Sequence, residues 1–254
     1  TLTNYFPTLE KGGKGGFFHD RTPYNFKREC IEKSLYGVDI DPGAVEIAKL
    51  RLWLSLVVDE DDIKQIKPLP NLDYKIVCGN SLLGVEKNLF NAPEFKELER
   101  IKPLLFNETS PTKKQEYKNQ IDHLISKITD GHKEFDFDIY FSAVCHEKKG
   151  GFDVVIGNPP YGIIFDEKLK LLYELSHPVF IRNNDIYVAF YGRGVKLLKN
   201  YGVLVYISPN TFLNGDYFKA LRKYLTEETA IKEIRDYKEV EIFEDPTVFV
   251  CVFI

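Results

Sequence analysis

The sequence contains no methionine and a single tryptophan, and its four cysteines, Cys30, Cys78, Cys145 and Cys251, stand far apart with no Cys-x-x-Cys pair among them. That spacing gives neither a disulfide framework nor a zinc-finger pattern, and it fits a reducing cytoplasm in a chain whose first residues carry no basic-then-apolar leader. Long apolar runs are lacking as well. The longest uncharged stretches, such as Val203 to Ile207 and Val248 to Ile254, fall far short of the roughly 18 to 20 residues that a membrane helix needs. There is no surplus of positive charge either: Lys+Arg 34 against Asp+Glu 38 leaves a net charge of −4, which excludes a free-standing basic nucleic-acid binder. The five histidines, His19, His123, His132, His146 and His177, show no ligand spacing with each other or with cysteine, so no metal is expected.

What is present is the material of a core. With 254 residues, 44% hydrophobic and 14% aromatic, the chain can fill one large domain or two small ones, and disorder is excluded as its main state. The missing Met at position 1 and a last segment, Val248 to Ile254, that reads as a strand stopping in mid-course predict a piece of a longer protein.

Along the chain, residues 1–33 form a lead-in with a glycine patch, Gly12-Gly13-Lys14-Gly15-Gly16, read as a loop, and a stretch turning helical toward Glu32. A short strand over Ser34 to Asp39 follows. Asp41 then Pro42 is an N-cap ahead of the residue favoured in the first helical turn, and Val45, Ala48, Leu52 and Leu56 recur at helical spacing up to the acid run Asp59 to Asp62. A second strand, Lys75 to Cys78, ends at Gly79-Asn80-Ser81, and a third, Phe152 to Ile156, ends at Gly157-Asn158-Pro159-Pro160-Tyr161. Between them, residues 84–150 read as a helical insertion, with Tyr117, Ile121, Leu124, Ile125 and Ile128 on one face. A helix over about 185–199, a strand over 203–207, a helix over about 217–225 and strands near 231–237 and 247–254 complete the chain. Strands alternating with helices predict an α/β fold with a mainly parallel sheet covered on both faces. In such sheets, sites form at the carboxyl ends of the strands.

The most informative residues are Asn158-Pro159-Pro160-Tyr161, directly after an apolar strand. Two consecutive prolines fix backbone dihedrals and remove two amide donors, which leaves carbonyl oxygens and the Asn158 amide oxygen as rigid acceptors. Such a set suits a planar amino group with two N–H donors. The Asn158 oxygen and the Pro159 carbonyl can hold both hydrogens and favour a pyramidal nitrogen, while Tyr161 offers a face on which a flat ring stacks. The same four residues also describe an ordinary Asn-Pro turn with an exposed tyrosine.

In company with their neighbours these residues resemble a known family. Asn158-Pro159-Pro160-Tyr161 is similar to the catalytic motif of S-adenosylmethionine-dependent amino-methyltransferases. Tyr36-Gly37-Val38-Asp39-Ile40-Asp41-Pro42 with Ala44 to Leu54 resembles the cofactor-ribose segment of the N6-adenine DNA methyltransferases, above all those of bifunctional type IIG restriction-modification enzymes. Asn184 to Phe190 and Gly202 to Asn210 resemble the same group, so the likeness runs from about Ser34 to Ile254. It implies a Rossmann-like class I methyltransferase domain over 1–254 that is partial, because the family's first strand and Asp/Glu-x-x-x-Gly-x-Gly turn should precede Asp39 and are not found in residues 1–33. Gly12 to Gly16 lacks a preceding strand and an acidic lead, and is not a substitute. The expectation is a sheet missing its first central strand, and a chain that binds the cofactor poorly on its own.

The resemblance assigns roles. Asn158, Pro159, Pro160 and Tyr161 would be catalytic. Asp39 and Ile40 would meet the ribose end of S-adenosylmethionine and Asn80 its adenine; some relatives carry Asp at the Asn80 position. Tyr161 would stack on the target base, with Phe249 or Phe253 as the second aromatic face and Phe249 taken as the substrate contact. Each residue also has a local reading: Asp39 and Asn80 as turn residues, Asp41 as a helix cap, Tyr187, Phe190 and Tyr191 as core. The implied substrate is double-stranded DNA with the adenine flipped from the stack. The acidic balance implies that DNA is gripped by target-recognition and nuclease domains elsewhere in the parent protein, rather than by Lys113, Lys114, Lys118 and Lys127 or by Lys219, Arg222 and Lys223. Methylation of a protein glutamine amide or of RNA, and a non-catalytic scaffold, are the competing readings. A nuclease built on Asp138 with Glu147-Lys148-Lys149 has no supporting strand pairing.

Overall fold

The computed structural model describes residues 23–58, 72, 74–84, 92–108, 110–129, 135–145, 150–163, 167–181, 183–238 and 248–254. The glycine patch at Gly12–Gly16, the acid run Asp59 to Asp62, His132, His146 and the Glu147-Lys148-Lys149 segment lie outside them. The chain divides into two compact units, one over Thr1–Leu35 and Ile47–Leu72 and one over Tyr36–Glu46 and Asp73–Ile254.

In the first unit lie α1 (Pro23–Lys33) and most of α2 (Pro42–Val57). Tyr24, Ile31, Leu56 and Leu72 are buried there, and the Lys27 ammonium donates to the Ser55 carbonyl at 3.4 Å. The start of α2 belongs to the second unit and follows the expected capping. Asp41 Oδ1 accepts from the Gly43 amide at 2.7 Å and the Asp41 carbonyl from Val45 at 3.1 Å, which satisfies two of the donors a helix start leaves open.

Among the described residues the second unit holds six strands in two sheets. β1 (Gly37–Asp39) and β2 (Ile76–Cys78) pair in parallel, Asp39 opposite Cys78. β3 (Phe152–Gly157), β4 (Leu198–Pro209), β5 (Ile234–Asp236) and β6 (Val250–Phe253) form the other, in the order β3-β4-β6-β5. β3 and β4 are parallel, and β6 runs antiparallel between β4 and β5, so the sheet is mixed and β5 runs the same way as β4. Among the described residues β1 and β3 each keep one edge unpaired. The two strands set out from one aromatic cluster, where Tyr36 and Phe152 meet edge to face at 5.6 Å and Phe141 packs on both. On one face of β3 Val154 is 55% and Ile156 77% exposed, whereas Val155 between them packs on the core on the other.

That core lies around α8 (Tyr187–Leu197), where Val188, Ala189 and Tyr191 have no exposed surface. The helix falls in the expected place, and its tyrosines are core, as read from their spacing. Their hydroxyls find partners, Tyr187 on Thr211 Oγ1 at 3.1 Å and Tyr191 on Ser208 Oγ at 2.9 Å, which a buried phenol needs. α7 (Glu167–Ser176) was not foreseen and packs here through Tyr173; α9 (Lys219–Glu228) packs through Leu221 and Leu225. The insertion contains the antiparallel-looking pair α3 (Ala92–Asn107) and α4 (Pro111–Ile128), joined by a short loop and packed through Leu98, Ile101, Ile121, Ile125 and Ile128 with Ile139. Short helices α5 (Phe137–Tyr140) and α6 (Ser142–Cys145) return the chain to β3, and Phe135 and Phe141 cluster with Val77 of β2. Among the described residues between 84 and 150, α3 to α6 make up most of the chain, and Phe135 and Phe141 pack on the strand core.

Candidate active site

The carboxyl ends of β1, β2 and β3 carry the residues that the sequence singles out. β3 ends at Gly157, where an added Cβ would crowd the Tyr206 ring of β4 at 3.0 Å. The chain then turns out through the two prolines. Pro159 is buried and anchors the loop, Pro160 is exposed, and Asn158 is exposed with no hydrogen-bond partner for its side chain among the described residues. Tyr161 is half-buried, packed against the core cluster that includes Leu82 and Tyr187. Gly162 next to it takes a left-handed conformation, φ 69°, which glycine adopts without the strain of a side chain. Its amide donates to Asp185 Oδ2 at 2.8 Å, and Asp185 Oδ1 accepts from Ile186 at 2.7 Å.

Across the site, Asp39 ends β1. One of its carboxylate oxygens accepts from the Asp41 amide at 2.9 Å and its carbonyl accepts from Gly79 at 2.8 Å, which ties the β1 and β2 ends together. The other carboxylate oxygen has no partner among the described residues. Ile40 is 71% exposed, an apolar side chain left in water beside that carboxylate. Asn80 is placed differently from expectation. Its oxygen accepts from Leu82 at 2.9 Å and Leu83 at 3.2 Å, and its amide nitrogen donates to the Tyr173 hydroxyl at 3.4 Å. The side chain builds the turn, so its acceptor is committed to the backbone.

The turn it builds is held from below. The Leu82 carbonyl accepts from His177 Nε2 at 2.9 Å and from Arg193 Nη2 at 2.8 Å. Burial is the largest influence on both groups: it pushes the His177 ring down to about 4 and lowers the Arg193 guanidinium. A neutral His177 donating through Nε2 fits this contact. With Leu82 and Tyr161 on one cluster, the structure brings the Asn80 turn and the Asn158 loop onto a common base.

The two candidates for a second aromatic face separate cleanly. Phe253 is 2% exposed and meets Tyr191 edge to face at 5.4 Å; it is core. Phe249 is 52% exposed and precedes β6, so it sits at the carboxyl end of β4, where its carbonyl accepts from the Asn210 amide at 3.0 Å. The side chain of Asn210 donates there to Asp236 at 2.8 Å. Of the two basic clusters, the one on α9 is engaged within the chain, as is Lys127 of the other. Arg222 donates to the Phe212 and Gly215 carbonyls, both at 2.7 Å, and shapes the loop after β4. Lys219 pairs with Asp216 at 3.1 Å, Lys223 with Glu227 at 3.8 Å and Lys127 with Glu94 at 2.5 Å. Asp185 was not singled out from the sequence as a site residue; a short acidic side chain just before an apolar helical run was the available signal.

Known proteins give this geometry a context. A Methanocaldococcus jannaschii protein that bears the provisional name of type II restriction enzyme and methyltransferase is 29% identical over 91% of this chain and 26% of its own length. A type II restriction enzyme and methyltransferase of Escherichia coli is 27% identical over 90% of this chain and 19% of its own. An adenine-specific methyltransferase of Streptomyces coelicolor is 23% identical over 80% of this chain and 15% of its own. The chain therefore spans about a quarter or less of the length of these relatives. Residues 33–243, which hold every strand end described above except that of β6, match the Eco57I restriction-modification methylase family, and the chain belongs to that family.

Proposed function

We propose that this chain is the part of a restriction-modification protein that transfers a methyl group from S-adenosylmethionine to the N6 amino group of adenine in double-stranded DNA. The observation that carries the reading is Asn158: an amide side chain at the carboxyl end of β3, exposed and without a partner, in a chain of a methylase family.

The residues at the β1 end fit the cofactor. Asp39 offers a carboxylate oxygen that can accept from ribose hydroxyls, and the exposed Ile40 offers an apolar surface beside it. Asn80 supports the adenine end through the turn it builds rather than through its own oxygen. S-adenosylmethionine, when bound, supplies the electrophilic methyl group. The protein's own part is to hold the acceptor. The Asn158 oxygen and the Pro159 carbonyl accept the two amino hydrogens and turn the nitrogen lone pair out of the ring. Tyr161 stacks on one face of the base and Phe249 closes the other. No general base has to act before attack, since the product ammonium is acidic and loses its proton afterwards. DNA is held chiefly by other regions of the parent protein, because the lysines and arginine of α9 are engaged within the chain. A cytoplasmic location goes with this reading, and among the described residues no helix is long and apolar enough to cross a membrane.

The test is methyl transfer from labelled S-adenosylmethionine to unmodified DNA by the intact protein, with Asn158→Ala beside it and nucleoside analysis of the product. Label in N6-methyladenine that falls by about 10²- to 10³-fold in the variant is expected, the loss typical of a removed transition-state hydrogen bond. Label in protein or RNA, or none, overturns the reading.

A further inference from the structure

We infer that Asp185 is a positioning residue for the acceptor loop, setting where Pro159, Pro160 and Tyr161 stand by clamping the amide of Gly162; the inference rests on the functional reading above and deepens it.

Four observations carry it. First, Pro159 is buried and Tyr161 packs on the core, but beyond them the loop is open: Gly162 and Ile163 are exposed, and a Cβ added to Gly162 would meet nothing within 4 Å. Packing therefore does not force the left-handed turn at Gly162, φ 69°; the hydrogen bond from its amide to Asp185 Oδ2 at 2.8 Å holds it. Second, the contact spans 23 residues of sequence, so it joins the loop to a different element instead of closing a local turn. Third, the carboxylate is itself fixed. Its other oxygen accepts from Ile186 at 2.7 Å, and its carbonyl accepts from Val188 at 3.1 Å as α8 begins. Fourth, the element behind it is rigid. Ile186, Tyr187 and Val188 are buried, and the tyrosine hydroxyls of α8 reach Thr211 and Ser208 at the end of β4 and just after it. On the other side Asn184, also buried, donates to the Tyr217 carbonyl at 3.2 Å.

Both oxygens are used, and both accept from backbone N–H groups. Only a carboxylate satisfies the two at once. Asparagine has one acceptor and would turn its NH₂ toward the second amide. Serine keeps a short oxygen for the helix start but lacks the length to reach Gly162. Asp185→Ser thus removes the tether while sparing the start of α8, and Asp185→Asn keeps only one of the two bonds.

The intact protein is tested as wild type, Asp185→Ser and Asp185→Asn. Hydrogen exchange at the Gly162 amide is measured together with kcat, the KM values for S-adenosylmethionine and DNA, and thermal stability. Exchange about tenfold faster or more, with kcat lower by about 10²-fold and cofactor KM and melting temperature near wild type, is expected, because a displacement on the order of 1 Å at the reacting group costs that much. Unchanged exchange at Gly162 overturns the tether. Faster exchange with unchanged kcat overturns the positioning role, and activity lost only in step with a lowered melting temperature overturns it in favour of a merely structural one. A wild type that moves no methyl group to adenine sinks the functional reading above, and the exchange at Gly162 then decides by itself whether Asp185 holds the loop.

Discussion

The loop after β3 and the turns after β1 and β2 begin alike, with a polar side chain at the end of an apolar strand, yet they use it in opposite ways. After β1 and β2 the side-chain oxygen folds back on the chain: Asp39 accepts from the amide two residues on, and Asn80 from those two and three residues on. After β3 the residue two positions beyond Asn158 is Pro160, which has no N–H to give. The bond from two residues on, which captures both Asp39 and Asn80, is closed to Asn158. The second proline of the motif thus keeps the amide oxygen available for a ligand, a role distinct from stiffening the loop. A polar residue at a strand end is a candidate ligand only so far as the backbone after it leaves it alone.

Substitutions can break this contrast. Beyond the loss expected for Asn158→Ala, the largest effect belongs to Asp39→Ala. Removing the carboxylate should weaken S-adenosylmethionine binding by about 10- to 100-fold, the range of a hydrogen bond to a charged group, with kcat at saturation nearly unchanged; calorimetric titration of the intact protein checks it. Pro160→Ala returns an N–H to the position that can capture Asn158. It should lower kcat by about tenfold, equivalent to one competing hydrogen bond, with the melting temperature within a few degrees of wild type. A rate equal to wild type would show that the second proline does not protect the amide.

Acid should distinguish the two regions next. The buried His177 stays neutral in the folded protein down to about pH 4, whereas an unfolded chain takes up the proton near pH 6.5. The unfolded state then holds more protons, so stability is lost as pH falls from about 6.5 toward 4 and is unaffected by this group above that window. Because folded His177 stays neutral and keeps its bond to the Leu82 carbonyl across that range, the group itself should leave cofactor affinity level while stability declines. His177→Gln, which cannot titrate, should flatten the stability profile as read by thermal melts. The smallest effect is expected for Asn80→Ala, which leaves two amides without their acceptor and should cost about 1 kcal/mol of stability in chemical denaturation, with more lost in stability than in direct adenine contact.

Much of this architecture was legible in the sequence. Helical spacing and the Asp41-Pro42 pair located α2 to within two residues of its start, and the burial of Tyr187 and Tyr191 followed from the period of α8. The place of Asn158 followed from an apolar strand before two prolines. What stayed hidden depends on pairs distant in sequence. Nothing near Asn80 announces that Leu82 will be gripped from His177 and Arg193, because those donors lie 95 and 111 residues away. Similarly, the acceptor that Gly162 needs comes from Asp185, which by itself reads as the start of a helix. β4 also runs longer than its apolar segment, from Leu198 to Pro209, since pairing with β3 at one end and β6 at the other extends it into polar residues. α7 was missed because its apolar positions are interrupted by lysine and glutamate, and only packing on Tyr173 selects a face.

The insertion leaves and re-enters the core at one place. A Cβ on Gly84 would stand 2.7 Å from a carboxylate oxygen of Asp136, and a Cβ on Gly79 would stand 2.2 Å from that of Phe135. Geometrically, then, the roughly fifty residues between the two contacts form a loop with coincident ends, and closing a longer or shorter loop there changes the chain entropy only logarithmically with length. Chain entropy thus sets little limit on the size of what lies between, and the tie that remains is packing: the hairpin of α3 and α4 is fastened to the returning chain through Ile139, which has no exposed surface.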